Sequence, residues 1–197
     1  SEDGAAPEGV TKPYCYHINQ FEQLRPVILD VVEYGRALGL DMSYGDHEDA
    51  PGQLELNFRF DRPVKTADNI TTYRQICAAV GRKHGLLPTF MPKPFTGVSA
   101  NGHHHHFTLI DSEGNNVFHD PSGPAELSDI ARNFLGGMLE HFPALMCVGN
   151  PTVNSYCRMW DTGFWAPIYK NWGWQNRTCT VRVASGGRFE YRGVDSS

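Results

Sequence analysis

Four histidines in succession, His103–His106, followed by Phe107-Thr108-Leu109-Ile110-Asp111, form the most chemically loaded stretch of the chain. Imidazole ligates a metal ion when neutral and donates hydrogen bonds when protonated. The residues before it, from Leu87 to Gly102, are punctuated by Pro88, Pro92 and Pro94 and then by Gly97, Ser99, Ala100 and Gly102. They read as an extended segment feeding a small-residue loop whose backbone N–H groups come close to a ligand. The histidines open a period-two alternation. A strand here places His105, Phe107 and Leu109 on one face and His104, His106 and Thr108 on the other. Two imidazoles beside a hydroxyl suit a metal-phosphate site. An adventitious surface cluster or a purification tag looks similar, but a tag lies at a terminus, and this run opens an apolar alternation.

Acids and guanidiniums follow the same logic elsewhere. Leu54, Leu56, Phe58 and Phe60 alternate with Gln53, Glu55, Asn57 and Arg59, the pattern of a strand with one wet side. Glu55 lies on that side and Glu48 in the turn-rich Tyr44–Gly52 stretch before it. Two carboxylates that converge repel unless a cation or proton sits between them; taken singly, Glu48 reads as loop surface. Near the end of the chain Arg188, Glu190 and Arg192 share one strand face, Arg177 and Arg182 bracket an apolar stretch, and Arg158 closes Asn154-Ser155-Tyr156-Cys157-Arg158. Such arginines either form a surface salt-bridge ladder or clamp phosphates and carboxylates through their planar forks. A metal-type histidine and three glutamates in the same chain favour the clamp.

The elements that must hold these groups are legible in the periodicity. Leu24, Ile28, Val31 and Leu38 mark a helix with Pro26 near its first turn and Gly39 at its end. Ile70, Tyr73, Cys77 and Val80 mark a second, over 68–84, with Asp68 as its cap and Gly85 as its stop. Leu127, Ile130, Phe134, Met138 and Phe142 mark a third, and Asp111–Asn116 reads as a hairpin connection. A flexible start over 1–13 precedes a globular portion over 14–197. The 197 residues carry a net charge of −5 and no basic stripe, which excludes a nucleic-acid partner held by phosphate neutralisation. No apolar run approaches a membrane span, so no membrane is expected. The first residues lack a secretory pattern, so a cytoplasmic location is expected. Five cysteines, Cys15, Cys77, Cys147, Cys157 and Cys179, show no CxxC spacing and suit reduced thiols.

Taken together, the motifs resemble the catalytic domain of the glutamine synthetase family. The likeness is carried by His47-Glu48 with Pro51-Gly52-Gln53-Leu54-Glu55, Phe90-Met91-Pro92-Lys93-Pro94, Ser99-Ala100-Asn101-Gly102 with the histidines, and Asn150-Pro151 with Asn154–Arg158. It continues through Ala166-Pro167, Asn176-Arg177, Arg182, and Arg188-Phe189-Glu190-Tyr191-Arg192 with Asp195. The fold implied is α+β, an antiparallel-rich curved sheet or partial barrel with flanking helices. By the resemblance, Glu48 and Glu55 hold a magnesium (or manganese) ion nearer the amino-acid substrate, and His104 with Glu190 hold one nearer the nucleotide. Arg158 and Arg192 bind the carboxylates of glutamate, with Arg192 also beside the transferred phosphoryl group. His106, Thr108, Arg177, Arg182 and Arg188 contact ATP, and Ser99, Ala100 and Gly102 belong to the substrate loop. The activity implied is an ATP-dependent ligase: phosphorylation of the γ-carboxylate of glutamate, then displacement of phosphate by an amine.

Two departures sharpen the expectation. Ammonia-using members carry a glutamate just before the Ala-Pro pair; here Trp165 stands there, in a segment one residue longer. The usual Asn-Gly of the substrate loop is Ser99-Ala100. An indole accepts no proton, but its face attracts an alkyl cation by about 0.5–2 kcal/mol, and Trp160, Phe164, Trp165, Trp172 and Trp174 lie near one another in sequence, as an amine pocket or as ordinary core aromatics. The wording is closest to the members that join glutamate to methylamine. The alternatives are ammonia, another amine such as ethanolamine or a polyamine, for which Asp161 is the one nearby acid, and a relative that keeps the fold without the chemistry. The resemblance further implies a double-ring homo-oligomer, and a longer subunit with an N-terminal β-grasp domain and a C-terminal part beyond these residues.

Overall fold

A computed structural model describes residues 15–16, 18–161 and 165–197, so the flexible start expected over 1–13 lies outside the described residues. The chain divides into two compact units, Ser1–Phe90 and Met91–Ser197. Helices and strands mix in both, and three of the four strand pairings are antiparallel, as the α+β reading expects.

In the first unit, helices α1 (Ile18–Gln23), α2 (Arg25–Ala37) and α3 (Pro63–Lys83) accompany a hairpin of β1 (Met42–His47) and β2 (Leu54–Phe58). Its core joins Val31, Leu40, Met42, Ile76, Cys77 and Val80, with Leu56, Phe58, Tyr73 and Phe90 packed against them. Four expectations need correction. Residues 44–47, read as part of a turn-rich stretch, belong to β1, because pairing with β2 satisfies their backbone groups. Helix α3 starts at Pro63, so Asp68 lies inside it and does not cap it; proline is at home at a first helical position, where a missing N–H costs nothing. The wet-sided strand ends at Phe58, leaving Phe60 exposed, and Leu38 is exposed while Leu40 takes the buried place beyond Gly39. Gly39 and Gly85 do end their helices, with left-handed φ of 84° and 67°.

The second unit is built on a four-stranded sheet in the order β3 (His105–Phe107), β6 (Arg188–Tyr191), β5 (Val181–Ala184), β4 (Trp172–Trp174), with only β4 and β5 parallel. One face of this sheet is apolar. Phe189, Val181 and Val183 are fully buried on it, and with Tyr191 they pack against Phe118, Leu127, Ala131 and Leu135. Each such side chain contributes about 1.5–3 kcal/mol by leaving water. Helix α4 (Asp129–Glu140) supplies the cover, with Phe134 stacked on Phe189 at 5.9 Å. The expected third helix is thus two: Leu127 precedes α4, Ser128 caps it by accepting a hydrogen bond from the Ala131 N–H at 3.1 Å, and Phe142 opens α5 (Phe142–Gly149). The buried residues of α4 are Ala131 and Leu135, while Ile130 faces out. Helix α6 (Val153–Trp160) is fixed by a capping box between Thr152 and Ser155. Asp111 closes the expected hairpin connection through hydrogen bonds from the N–H groups of Glu113 and Asn115.

Candidate active site

The opposite face of that sheet is polar, and register alone explains why. His106 pairs with Glu190 and Glu190 with Arg182, so the three share a face, while Phe107, Phe189 and Val183 share the other. Alternation adds Arg188 on β6, Arg192 just after it and His104 just before β3. The β5–β6 turn sets this register through Gly186 and Gly187, both at left-handed φ (75° and 67°), and Asn116 ties it down by donating to the Gly186 carbonyl at 2.8 Å.

Glu190 is the centre of the face. It is 3% exposed, yet guanidinium and imidazole groups surround it. Arg182 Nη1 donates to Oε2 at 2.7 Å, Arg192 Nη1 donates to Oε1, and His104 Nδ1 lies 3.2 Å from Oε1. Burial alone would raise the Glu190 carboxyl; the hydrogen bond with His104 and the charge of Arg192 reverse that and hold it well below the usual carboxylate range. Burial pushes the His104 imidazole down to about 4, outweighing the pull of Glu190, so the ring is neutral at ordinary pH. A neutral imidazole retains the lone pair that a metal needs. His106 is lowered for the same first reason, burial.

Arg158 reaches this face from α6. It is 3% exposed, its Nη2 donates to the Arg192 carbonyl at 3.1 Å, and burial lowers it to about 10, so it stays cationic. Its Nη1, and Nε of Arg192, are buried with no hydrogen-bond partner among the described residues. Two buried guanidinium donors left open in this way are suited to an incoming carboxylate or phosphate. Arg177 is close enough for its charge to act on Arg192, and Arg182 also donates to Gln175 Oε1 at 2.6 Å. Arg188 and Thr108 are exposed at the rim. The loop carrying Ser99, Ala100 and Gly102 enters alongside: Gly102 bridges Asp195, and the His103 N–H donates to the Val194 carbonyl at 3.1 Å.

The remaining expected residues belong to other elements. Glu48 and Glu55 belong to the first unit, where Glu48 N donates to Gln53 O at 2.9 Å and Glu55 pairs with Asp46. That register puts Asp46, Glu48 and Glu55 on one face of the hairpin. Among the described residues no three of His, Cys, Asp and Glu stand together as a metal cage; each metal the resemblance implies would rely on a pair of the expected donors. His104 Nδ1 and Glu190 Oε1, hydrogen-bonded to each other at 3.2 Å, have the spacing of two ligands at right angles on bonds of about 2.1 Å, so a hard cation would fit there by taking the place of the proton between them. Trp165 is half-exposed with φ 59°. Of the other aromatics, Phe164 lies outside the described residues, Trp160 is exposed, and Trp172 and Trp174 flank Gly173 on the edge strand.

The family described as glutamine synthetase, catalytic domain, matches residues 4–197. This chain belongs to the glutamine synthetase family. It is 42% identical over 186 residues to the glutamine synthetase of Pyrococcus woesei, covering 92% of this chain and 41% of that protein. Against the glutamine synthetase of Halobacterium salinarum it is 45% identical over 165 residues, covering 82% and 36%. Two solved structures of GmaS superpose on it. One is apo GmaS without ligand, with a TM-score of 0.88, 34% identity and coverage of 99% of this chain and 46% of that one. The other is a GmaS/ADP complex, with a TM-score of 0.86, 36% identity and coverage of 98% and 46%. The chain therefore spans less than half the length of these relatives.

Within the glutamine synthetase frame, two side chains that the motifs include without a role prove to be buried and charged. Lys93 was legible only as part of a Pro-Lys-Pro motif, yet it is 4% exposed and ion-paired to Asp161 at 2.7 Å. Asp195, 2% exposed, acts electrostatically on Arg158. A lysine between two prolines in an otherwise apolar stretch is the only signal that could have pointed to the first.

Proposed function

We propose that the protein containing this chain is an ATP-dependent glutamate–amine ligase, acting in the cytoplasm as a homo-oligomer, and that its amine is methylamine. The observation that carries the ligase reading is the buried Glu190 held among Arg182, Arg192 and His104, in a chain of the glutamine synthetase family. Phosphoryl transfer between ATP and a carboxylate needs little covalent help from a protein; it needs positive charge around the transferring group and reactants held in line. Arg192 and Arg158 present open, buried donors to glutamate and its developing acyl phosphate. Arg182, Arg188, Arg177, His106 and Thr108 line the nucleotide side. His104 and Glu190, and in the first unit Glu48 and Glu55, would hold magnesium or manganese, which neutralises phosphate charge. Displacement of phosphate by the amine then forms the amide and releases one proton.

Trp165 supports the choice of amine, because an indole in place of a proton-accepting carboxylate favours an alkylamine over ammonia. The likeness to GmaS, a γ-glutamylmethylamide synthetase, agrees with it. A polyamine is disfavoured, since Asp161, the acid it would call on, is engaged with Lys93 and the Gly97 N–H. Ammonia is the second reading, because the curated relatives of 42% and 45% identity are glutamine synthetases. ATP turnover by the full-length protein with glutamate and a panel of amines decides between them. Methylamine is expected to give the highest kcat/KM, and Trp165→Ala to lower it about 2- to 30-fold while sparing ammonia. Equal or better turnover with ammonia overturns the choice of amine.

A further inference from the structure

Helix α6 presents more than Arg158. Asn154, Arg158 and Asp161 follow at spacings of four and three, so they lie along one side of the helix and the residue that ends it. The two flanking residues both grip the segment that leads into the substrate loop. At the first turn, the Lys93 N–H donates to Asn154 Oδ1 at 2.6 Å and Asn154 Nδ2 donates back to the Lys93 carbonyl at 2.9 Å. At the far end, Asp161 Oδ2 receives both Lys93 Nζ at 2.7 Å and the Gly97 N–H at 2.9 Å. Lys93 Nζ also donates to the Val98 carbonyl. The base of the loop is sewn shut by Asn101, whose N–H donates to Pro92 O and whose Nδ2 donates to Met91 O, each at 2.8 Å.

Lysine is almost never fully buried unless paired. Here its ammonium sits inside a loop of about ten residues and is neutralised by an acid from the helix that carries Arg158. Loop and helix are therefore one mechanical piece: Ser99, Ala100 and Gly102 cannot move relative to Arg158 without uncovering a buried charge. We propose that Lys93 and Asp161, with Asn154, are positioning residues that hold the Ser99–Gly102 loop in register with Arg158 and so set the affinity for the carboxylate-bearing substrate. This rests on the ligase reading for the identity of that substrate, and none of the three residues needs to touch it.

The test uses the full-length protein with Lys93→Met, Lys93→Arg, Asp161→Asn and the double variant Lys93→Met/Asp161→Asn. Misplacement of binding groups by a fraction of an ångström to an ångström costs one to two orders of magnitude. Lys93→Met is thus expected to raise KM for glutamate roughly tenfold or more, with kcat falling less and ATP affinity by calorimetry within about twofold. Lys93→Arg should recover most of the loss. The double variant should be no worse than Lys93→Met alone, because the two residues act as one unit. Amide hydrogen exchange supplies a readout independent of turnover: residues 97–101 lose protection in Lys93→Met while Val181–Ala184 and Arg188–Tyr191 keep theirs. Should Lys93→Met not fold, Asp161→Asn, which keeps an acceptor for the Gly97 N–H, carries the same two measurements. An unchanged glutamate KM, or an equal loss for nucleotide and glutamate, overturns the proposal. If the wild-type protein turns over no amine with glutamate, the ligase reading fails, and exchange over 97–101 still decides the clamp: loosened in the variant it stands, unchanged it falls.

Discussion

Glu55 and Glu190 occupy equivalent places in two different regions: each lies on the polar face of a short strand, flanked by residues that alternate in and out. Their physical states are opposite. Glu55 is exposed on the hairpin of the first unit and takes a hydrogen bond from Asn57 Nδ2 at 3.0 Å. Glu190 is buried in the second unit's sheet and compensated by two guanidiniums and an imidazole. Water solvates the first carboxylate at no structural cost, whereas the second can stay ionised only because its neighbours are cationic. A cation arriving at the hairpin face would meet in Glu55 a carboxylate already open to solvent. One at Glu190 would have to share the carboxylate with Arg182 and Arg192, both already paired to it. The same residue type in the same pattern is thus solvated in one region and charge-compensated in the other.

The sharpest way to break this contrast is to remove each carboxylate. Glu190→Ala leaves buried guanidiniums without their counter-charge, and its expected cost is about 3–5 kcal/mol in urea denaturation. Gly102→Ala comes next. A Cβ at that position would lie 2.6 Å from His104 Nε2, so the imidazole must leave its place beside Glu190. Overpacking of this kind costs about 1–3 kcal/mol, and the substitution should also weaken magnesium-dependent ATP binding measured by calorimetry. Glu55→Gln should change stability by no more than about 0.5 kcal/mol. A loss at Glu55 equal to that at Glu190 would erase the distinction between the two regions.

The sequence makes legible which side chains share the polar sheet face, because alternation has a period of two and register does the rest. Alternation groups His104 with His106 on one strand and Arg188 with Glu190 and Arg192 on another; the pairing of β3 with β6 puts the two sets on one face, and Arg182 joins them through its pairing with Glu190. Alternation carries no information on depth. It cannot say that Glu190 is buried while Glu55 is wet, since depth depends on which elements cover the face. It is equally silent where backbone pairing overrides composition: Tyr44-Gly45-Asp46 looks like a turn and is a strand, because β2 lies beside it. Helix starts went astray for a related reason. Asp68 has the chemistry of a cap, but Pro63 lies one turn earlier and a helix begins wherever its first N–H groups can be spared. Lys93 was invisible because its partner Asp161 lies 68 positions away, beyond the reach of any local pattern.

The smallest effect concerns an ion cluster on the surface of the first unit. Asp30 lies 2.9 Å from Lys83 Nζ and also meets His84, and the hydrogen bond from Lys83, then that from His84, holds its carboxyl below the ordinary value. A carboxylate depressed in the folded state stabilises the fold above its unfolded value of about 3.9, and that contribution fades as pH falls through the lower folded value. The difference in melting temperature between wild type and Asp30→Asn should therefore be constant from about pH 5 to 7 and shrink below about pH 4. Salt separates this cluster from the Glu190 network. At 1 M the screening length is about 3 Å, so the Asp30 difference should fall in high salt, while the cost of Glu190→Ala, set by desolvation in the interior, should persist. If the Asp30 difference survives high salt undiminished, the cluster behaves as a buried pair and the contrast between an open first unit and a compensated second unit loses one of its supports.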